Sequence, residues 1–366
     1  MSQAAETIPL VSVFIPTYNA GQFLAQAIES VLAQTFANYE LIVVDDASTD
    51  DTAGILKQYQ GHPKITIQQN PQNVGMAANW NVGLRLCRGH LIAKLDADDF
   101  YEPGYLEAVV KVFQQDQAVG LVFSGLNLIY PDGRIEPEMP FLRSWVRQPK
   151  EFLPALLQAC MLRSPTVCVR RSCYDQWGGF NKAMQIHADW EMWVRIAAQH
   201  AAGFIARRLA NYRMSYGSNC TAQAALDGRS IRDLQLWLKL LAEDRLPYRL
   251  SATELHQFKW GLYHLEMHFA ATAAYYGQEE MRQAYTAFAE EVMPDRPSAV
   301  KLERMRQVYT NLHQGICAFR ENHLPEARRY FLQGIRSGPE YCKSFWIWSK
   351  LLLTFMGRTK WGILDR

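Results

Sequence analysis

The chain has 366 residues, 49% of them hydrophobic, with 38 Lys and Arg set against 36 Asp and Glu. That length exceeds the usual single core, so one large domain of about 200 residues or more and a smaller one are expected. The near balance of charge and the lack of a Lys/Arg block exclude the global signature of a nucleic-acid partner.

The chain starts MSQAAETIPL, without a basic region ahead of a long apolar stretch, so no signal peptide is read there. VSVFI (11–15) is short and β-branched and predicts a strand; the following GQFLAQAIESVLAQT carries Leu24, Ile28, Val31 and Leu32 on one helical face. A second strand, ELIVV (40–44), runs into DDASTDDT, whose polar residues predict a turn and an N-cap for a helix containing Ile55 and Leu56. KITIQ (64–68) alternates as a strand does, GMAANWNVGLRLC (75–87) reads as a helix, and LIAKL (91–95) as another strand. Strand and helix in alternation imply an α/β fold with a mostly parallel sheet and helices on both faces.

From about 119 the pattern loosens. VGLVFSGLNLIY predicts a strand, PDGR a turn, KEFLPALLQACML a helix, and PTVCVRRSCYDQWGGF a strand, a short helix and a glycine turn. DWEMWVRIAAQ (189–199) opens with an acid and carries Trp190, Trp193, Val194 and Ala197 at helical spacing. After about 225 only helical patterns persist, so the boundary is expected near MSYGSNCTAQ, separating residues 1–225 from a helical domain over 226–366. The apolar stretch at 345–357 is interrupted by Lys350 and is too short to span a bilayer, which argues against an integral membrane protein. Cysteines 87, 160, 168, 173, 220, 317 and 342 are odd in number without a C-x-x-C pair, fitting reduced thiols of a cytoplasmic protein rather than a disulfide framework or zinc site.

Ligands of open α/β sheets bind beyond the carboxyl ends of the strands. Here those ends read PTYN (16–19), DDAS (45–48) and DADD (96–99), and three polar or acidic ends together favour a site over solvated loops. Crowded carboxylates repel and partly protonate unless a cation neutralises them. Mg²⁺ or Mn²⁺ takes oxygen ligands and commonly bridges protein carboxylates to a diphosphate, stabilising the charge that grows as the diphosphate departs. A D-x-D-x-T phosphatase pattern fails because its fifth position is Phe100, and G-x-G-x-x-G is missing after the first strand, where the chain reads PTYNAGQF.

The ordered set VSVFIPTYNAGQFLAQAIESVLAQTFANYELIVVDDASTDDT, NPQNVGMAANWNVGL, GHLIAKLDADDF and DWEMW closely resembles family 2 glycosyltransferases of the GT-A fold, over roughly residues 9 to 220. The resemblance implies a metal-dependent, inverting transfer of one sugar from a nucleotide-diphosphate sugar, UDP-sugars being favoured, to an acceptor hydroxyl. It implies that Pro16, Thr17, Tyr18 and Asn19 wrap the nucleotide, that Asp46 accepts a hydrogen bond from the base, and that Asp45 shares that role or shapes the turn. Asn73, Gly75, Asn79 and Asn81 match the segment lining the nucleotide-sugar pocket. Asp96 matches the ribose-side acid and Asp98 the metal ligand, with Asp99 competing because the acidic pair permits a one-residue shift. The ion is expected to be Mn²⁺ or Mg²⁺.

An inverting transfer needs a carboxylate to take the acceptor's proton as its oxygen attacks the anomeric carbon. Asp189 matches that base, the rival reading being a helix N-cap. The acid that often precedes the base is replaced by Ala188, leaving any supporting role to Glu191, to His187 or to no residue at all; Arg213 is expected at the diphosphate, and Ser215 stands where histidine is common. No Q-x-x-R-W signature is present, which favours single-sugar transfer over polymerisation.

His264 and His268 lie one turn apart, but without a third ligand a solvated helix face is the better reading. Residues 315–339 resemble one tetratricopeptide-type hairpin, with Gly315, Ala318, Ala327, Phe331 and Pro339 near the expected places. The tail from Phe345 mixes tryptophans with Lys and Arg, which suits either a peripheral helix at the inner face of a membrane, where lipid-linked acceptors reside, or packing on the repeat helices. Expected partners are the nucleotide sugar and a glycan, lipid-linked or protein acceptor, in cell-surface glycan synthesis. The alternatives are a non-catalytic nucleotide-sugar-binding scaffold acting through the helical tail, and nucleotidyl transfer or phosphatase chemistry at the same metal.

Overall fold

The structure, a computed structural model, describes residues 8–214, 223, 226–275, 277–293, 299–320 and 323–337. Expectations placed on Ser215, Cys220, Pro339, Cys342 and the tail from Phe345 lie outside these residues.

The sheet is built around β1 (Val11–Thr17) and β2 (Tyr39–Asp45), every residue of which is buried. Helices cover both of their faces, so the strands are mostly apolar without alternation, as is usual for central parallel strands. β3 (Ile65–Gln69), β2, β1 and β4 (Leu91–Lys94) run parallel in that spatial order. Beyond β4 the sheet continues through antiparallel β9 (Cys168–Arg170) to β6 (Val119–Ile129), parallel β10 (Ala201–Arg213) and the short β5 (Phe100–Tyr101). β7 (Ile135–Glu138) pairs with β6, and β8 (Trp145–Arg147) with β10.

The helices of this part are α1 (Gly21–Leu32), α2 (Thr52–Lys57), α3 (Met76–Leu86), α4 (Tyr105–Gln115), α5 (Pro149–Gln158), α6 (Arg171–Trp177) and α7 (Ala188–Ala197). α1 buries Leu24, Ala27, Ile28 and Val31 in a core shared with Val11, Val13, Ile15, Leu41 and Val43. Each fully buried side chain of the Val, Leu or Ile type contributes roughly 1.5–3 kcal/mol. α3 lies close on β1 because Gly83 has no side chain: an added Cβ would stand 2.5 Å from the Phe14 ring.

The chain divides into two compact units, residues 1–222 with 232–254, and residues 223–231 with 255–366. The segment 232–254, which the helical pattern groups with the second half, therefore belongs to the sheet-containing unit. The reason lies in α8 (Arg229–Ala242), where Trp237 meets Trp190 of α7 edge-on at 5.2 Å and donates Nε1–H to the Tyr248 hydroxyl at 2.7 Å.

In the second unit α9 (Ala252–Tyr275) packs Phe269, Ala270 and Ala273 against Tyr285 of α10 (Glu279–Val292), and Tyr263 and Met267 against Ala289 and Met293. α11 (Ala299–Arg320) and α12 (Leu324–Ser337) form a hairpin in which Gly315 faces Phe331 and Gly334 faces Leu312, an added Cβ meeting each at 2.9 Å. His264 stacks on Trp260 at 5.7 Å, and no group of three or more His, Cys, Asp or Glu among the described residues is arranged to hold a metal. Among the described residues no helix is long and apolar enough to cross a membrane.

Candidate functional site

The parallel register sets Thr17, Asp45 and Gln69 side by side at the carboxyl ends of β1, β2 and β3. Pro16 and Thr17 are the last residues of β1, and the buried Thr17 hydroxyl has no partner. Tyr18 is half exposed, and Asn19 adopts a positive φ of 49°, which asparagine tolerates better than most residues. Asn19 N–H donates to Ser48 Oγ at 2.9 Å and Asn19 Oδ1 accepts from Thr49 N–H at 2.8 Å, clasping the first and second strand ends together.

Asp45 accepts from Ser48 N–H at 3.1 Å and from Gln69 Nε2 at 3.2 Å, so it shapes the turn as the sequence allowed. Asp46 is buried and accepts from Asn70 Nδ2 at 2.8 Å, Val74 N–H at 2.9 Å and Gly75 N–H at 3.1 Å. The carboxylate expected to meet a nucleotide base is thus engaged in holding the loop 70–75. Asn73 Oδ1 also accepts from Gly75 N–H, and Gly75 itself has φ 86°, a conformation that favours glycine. Asn79 joins the network through Asn70 and the Val44 carbonyl. Asn81 does not: it exchanges two 2.8 Å hydrogen bonds with the backbone of Phe180 and ties α3 to the glycine turn after α6.

These loops frame an open cleft of about 420 Å³ lined by Ala47, Ser48, Gln69, Asn70 and Pro71. The sequence pointed to Asn70 and Pro71 through the stretch NPQNVG but not to Gln69, which carries no motif and reaches the cleft only through the register of β3.

The acidic end of β4 is built differently. Lys94 is buried, its ammonium 4.0 Å over the Trp80 ring and paired with Asp96. Asp98 stays partly exposed, its pKa raised by burial and then by the Asp96 charge. Asp99 is buried; Oδ1 accepts from Arg213 N–H at 2.9 Å while Oδ2 has no partner. Burial first, then Asp98 and Asp96, hold its carboxyl well above the usual range. The unpartnered Asp99 oxygen is of the kind a hard cation takes, while Asp96, Asp98 and Asp99 are not arranged as a three-ligand cluster.

The Arg213 guanidinium lies 4.8 Å from the Phe23 ring and 5.1 Å from the Phe100 ring and pairs with Gln26, so it is held against α1. Its buried Nε has no partner.

Asp189 sits in the first turn of α7, but the N-cap is His187, so the capping role that rivalled catalysis is not its own. Its Oδ1 accepts from Trp190 N–H at 2.7 Å. Burial pushes its pKa up to about 6; Lys94 lowers it and Asp96 raises it, which makes those two its charged neighbours. The acidic strand end and the α7 acid, about ninety residues apart in sequence, therefore converge on Lys94.

Of the two residues read as a support for Asp189, Glu191 is engaged elsewhere. Glu191 is wholly buried and bonded to Arg195, which also donates to the Trp177 and Gly179 carbonyls. His187 is buried, and burial lowers its pKa to about 4.

Residues 12–176 match the model of the family described as Glycosyl transferase family 2. Chondroitin synthase of Escherichia coli is 31% identical over 198 residues, 54% of this chain and 28% of that protein. Hyaluronan synthase of Pasteurella multocida is 28% identical over 191 residues, 52% of this chain and 19% of that protein. This chain thus spans less than a third of the length of those synthases. An uncharacterized Mycobacterium tuberculosis protein is 30% identical over 249 residues, 65% of this chain and 77% of that one. Among solved structures, S. aureus TarS superposes with a TM-score of 0.58 at 16% identity, covering 90% of this chain and 92% of that one. The Pyrobaculum calidifontis mannosyltransferase PcManGT gives 0.50 at 16% identity, covering 93% and 89%. At such identities the likeness is one of fold, a GT-A-like α/β domain followed by helices.

Proposed function

We propose that this chain, which matches the glycosyl transferase family 2 model over residues 12–176, is an inverting glycosyltransferase that moves one sugar from a nucleotide-diphosphate sugar to an acceptor hydroxyl, with Asp189 as general base. The observation that carries this reading is the electrostatic meeting of Asp189 with Lys94 and Asp96 at the carboxyl edge of the sheet.

The nucleoside occupies the cleft lined by Ser48, Gln69 and Asn70, in a frame held rigid by Asp45, Asp46, Asn73, Gly75 and Asn79. Thr17, Tyr18 and Asn19 bound it from the β1 side, and the unpartnered Thr17 hydroxyl supplies a hydrogen-bonding group there. Asp96 addresses the ribose and Arg213 the diphosphate. Asp98 and Asp99 would hold Mn²⁺ or Mg²⁺, which when bound neutralises the departing diphosphate. The Asp189 carboxylate takes the acceptor's hydroxyl proton as that oxygen bonds to the anomeric carbon; the bond from that carbon to the diphosphate oxygen breaks, and inversion follows from attack on the opposite face. A pKa near 6 leaves Asp189 ionised at neutral pH yet basic enough to accept a proton.

A crystal structure of TarS is in complex with UDP-GlcNAc, and a solved structure of PcManGT is in complex with GDP-Man and Mn²⁺. A uridine nucleotide is the proposed base, with cell-surface glycan synthesis in the cytoplasm as the setting and a glycan, lipid-linked or protein acceptor. The α11–α12 hairpin, with Gly315 against Phe331, is read as tetratricopeptide-like and as an acceptor or partner platform.

The test is calorimetric binding of UDP, GDP, dTDP and CDP, each with Mn²⁺, Mg²⁺ or a chelator, followed by donor turnover in wild type and Asp189→Asn. One nucleotide bound tightly only with metal, together with lost turnover in the variant, is expected. Full turnover without Asp189 would sink the assignment.

A further inference from the structure

Asp233, on α8, is nearly inaccessible to solvent, and its two oxygens face three consecutive backbone amides. Gln185 N–H reaches them at 3.0 and 2.9 Å, Ile186 N–H at 2.6 Å and His187 N–H at 2.9 Å. Successive amides converge on one anion only when the chain is wound into a tight concave turn. A charged acceptor holds such a turn about twice as strongly as a neutral one. The turn ends at His187, the N-cap of α7, two residues before Asp189.

On the other side of Asp189 the same helix grips again. Trp237, one turn after Asp233, packs edge-on at 5.2 Å against Trp190, whose Nε1–H donates to the Leu156 carbonyl at 2.8 Å. Residues i and i+4 of α8 thus clamp the residues on both sides of Asp189.

We propose that Asp233 is a positioning residue for the catalytic base: it fixes the turn that launches α7 and so sets where the Asp189 carboxylate stands. The inference rests on the reading of Asp189 as base. Its reach follows from the chemistry, because a proton transfer of this kind is sensitive to misplacement of the base by about 1 Å. Donor binding, centred on the ends of β1 to β4, draws on none of these contacts.

The experiment uses the full chain and compares Asp233→Asn, Asp189→Asn and the double variant by donor hydrolysis, donor affinity and melting temperature. Asparagine keeps the shape of Asp233 but sets an NH₂ group against amide donors, so the turn loses part of its hold. The expected result is kcat lowered about 10- to 100-fold in Asp233→Asn, with donor KM and affinity unchanged, recovery of rate in Asp233→Glu, and a double variant no slower than Asp189→Asn alone. Wild-type kcat in Asp233→Asn beside an inactive Asp189→Asn overturns this inference and leaves the base intact. Full activity in Asp189→Asn overturns the base and this inference together. Should Asp233→Asn fail to fold, amide hydrogen exchange on the wild type decides: slow exchange at residues 185–187 is expected, and exchange at the rate of free peptide overturns the proposal.

Discussion

Glu191 lies one helical turn before Arg195, the two wholly or nearly buried, and the guanidinium joins that carboxylate to the carbonyl oxygens of Trp177 and Gly179. The pair fastens α7 to the end of α6. Removing one partner of a buried ion pair strands the other charge, at a cost of about 3–5 kcal/mol. Glu191→Ala should therefore unfold at clearly lower denaturant concentration than wild type, with whatever folded protein remains binding donor normally. A variant of unchanged stability would mean that Arg195 finds another anion.

Activity should follow the ionisation of Asp189. With its carboxyl raised to about 6 by burial, the proposed base is protonated below that pH, so kcat should fall about tenfold per unit on the acid side and level off above. The stability linkage has the opposite sign. Because the folded pKa exceeds the unfolded one, the folded state holds the proton more tightly, and stability declines as pH rises from about 4 to about 6. Asp189→Asn removes that penalty, so at neutral pH the inactive variant should melt no lower than wild type.

Chelation gives a prediction for the acidic strand end. Removing divalent ions should weaken nucleoside diphosphate binding by about tenfold or more, a loss of about 1.4 kcal/mol. Asp98→Asn should abolish the difference between metal and chelator. Titration calorimetry reads this directly, and an unchanged metal effect in Asp98→Asn would remove that residue from the ion's shell.

Asp46 joins the end of β2 to the loop after β3. Asp46→Ala removes the carboxylate that accepts from the buried Asn70 amide and from the N–H groups of Val74 and Gly75, while Asn70 keeps Asn79 and Gly75 keeps Asn73, so a loss of about 1 kcal/mol is expected. Both stability and nucleotide affinity should drop, the latter because Asn70 lines the cleft. Loss of stability with full affinity would separate the loop from the binding site.

The strands legible in the sequence are those covered on both faces. VSVFI, ELIVV and LIAKL show as largely apolar runs because both faces of β1, β2 and β4 are covered, their few polar residues, Ser12, Glu40 and Lys94, being buried with partners. β10, the longest strand described, shows no such run, since AAGFIARRLANYR is rich in small residues and carries exposed Arg207 and Arg208 at irregularities of its register with β6. β5, β7 and β8 are too short to show a period. Asp45, Asp46 and the acids of 96–99 were legible because strand ends concentrate ligand groups. Asp233 was not: a single acid on an amphipathic helix looks like any solvated residue, and its amide partners lie 46 to 48 residues upstream.

The return of residues 232–254 to the sheet-containing unit bears on how such a protein can be inherited and cut. A gene joined or truncated at residue 225 would deliver every sequence motif that resembles the glycosyl transferase family and still omit the Trp237 indole and the Asp233 carboxylate that hold α7. The helical half is consequently no cassette to be exchanged at that point, and recombinants that survive should carry their crossover beyond residue 254.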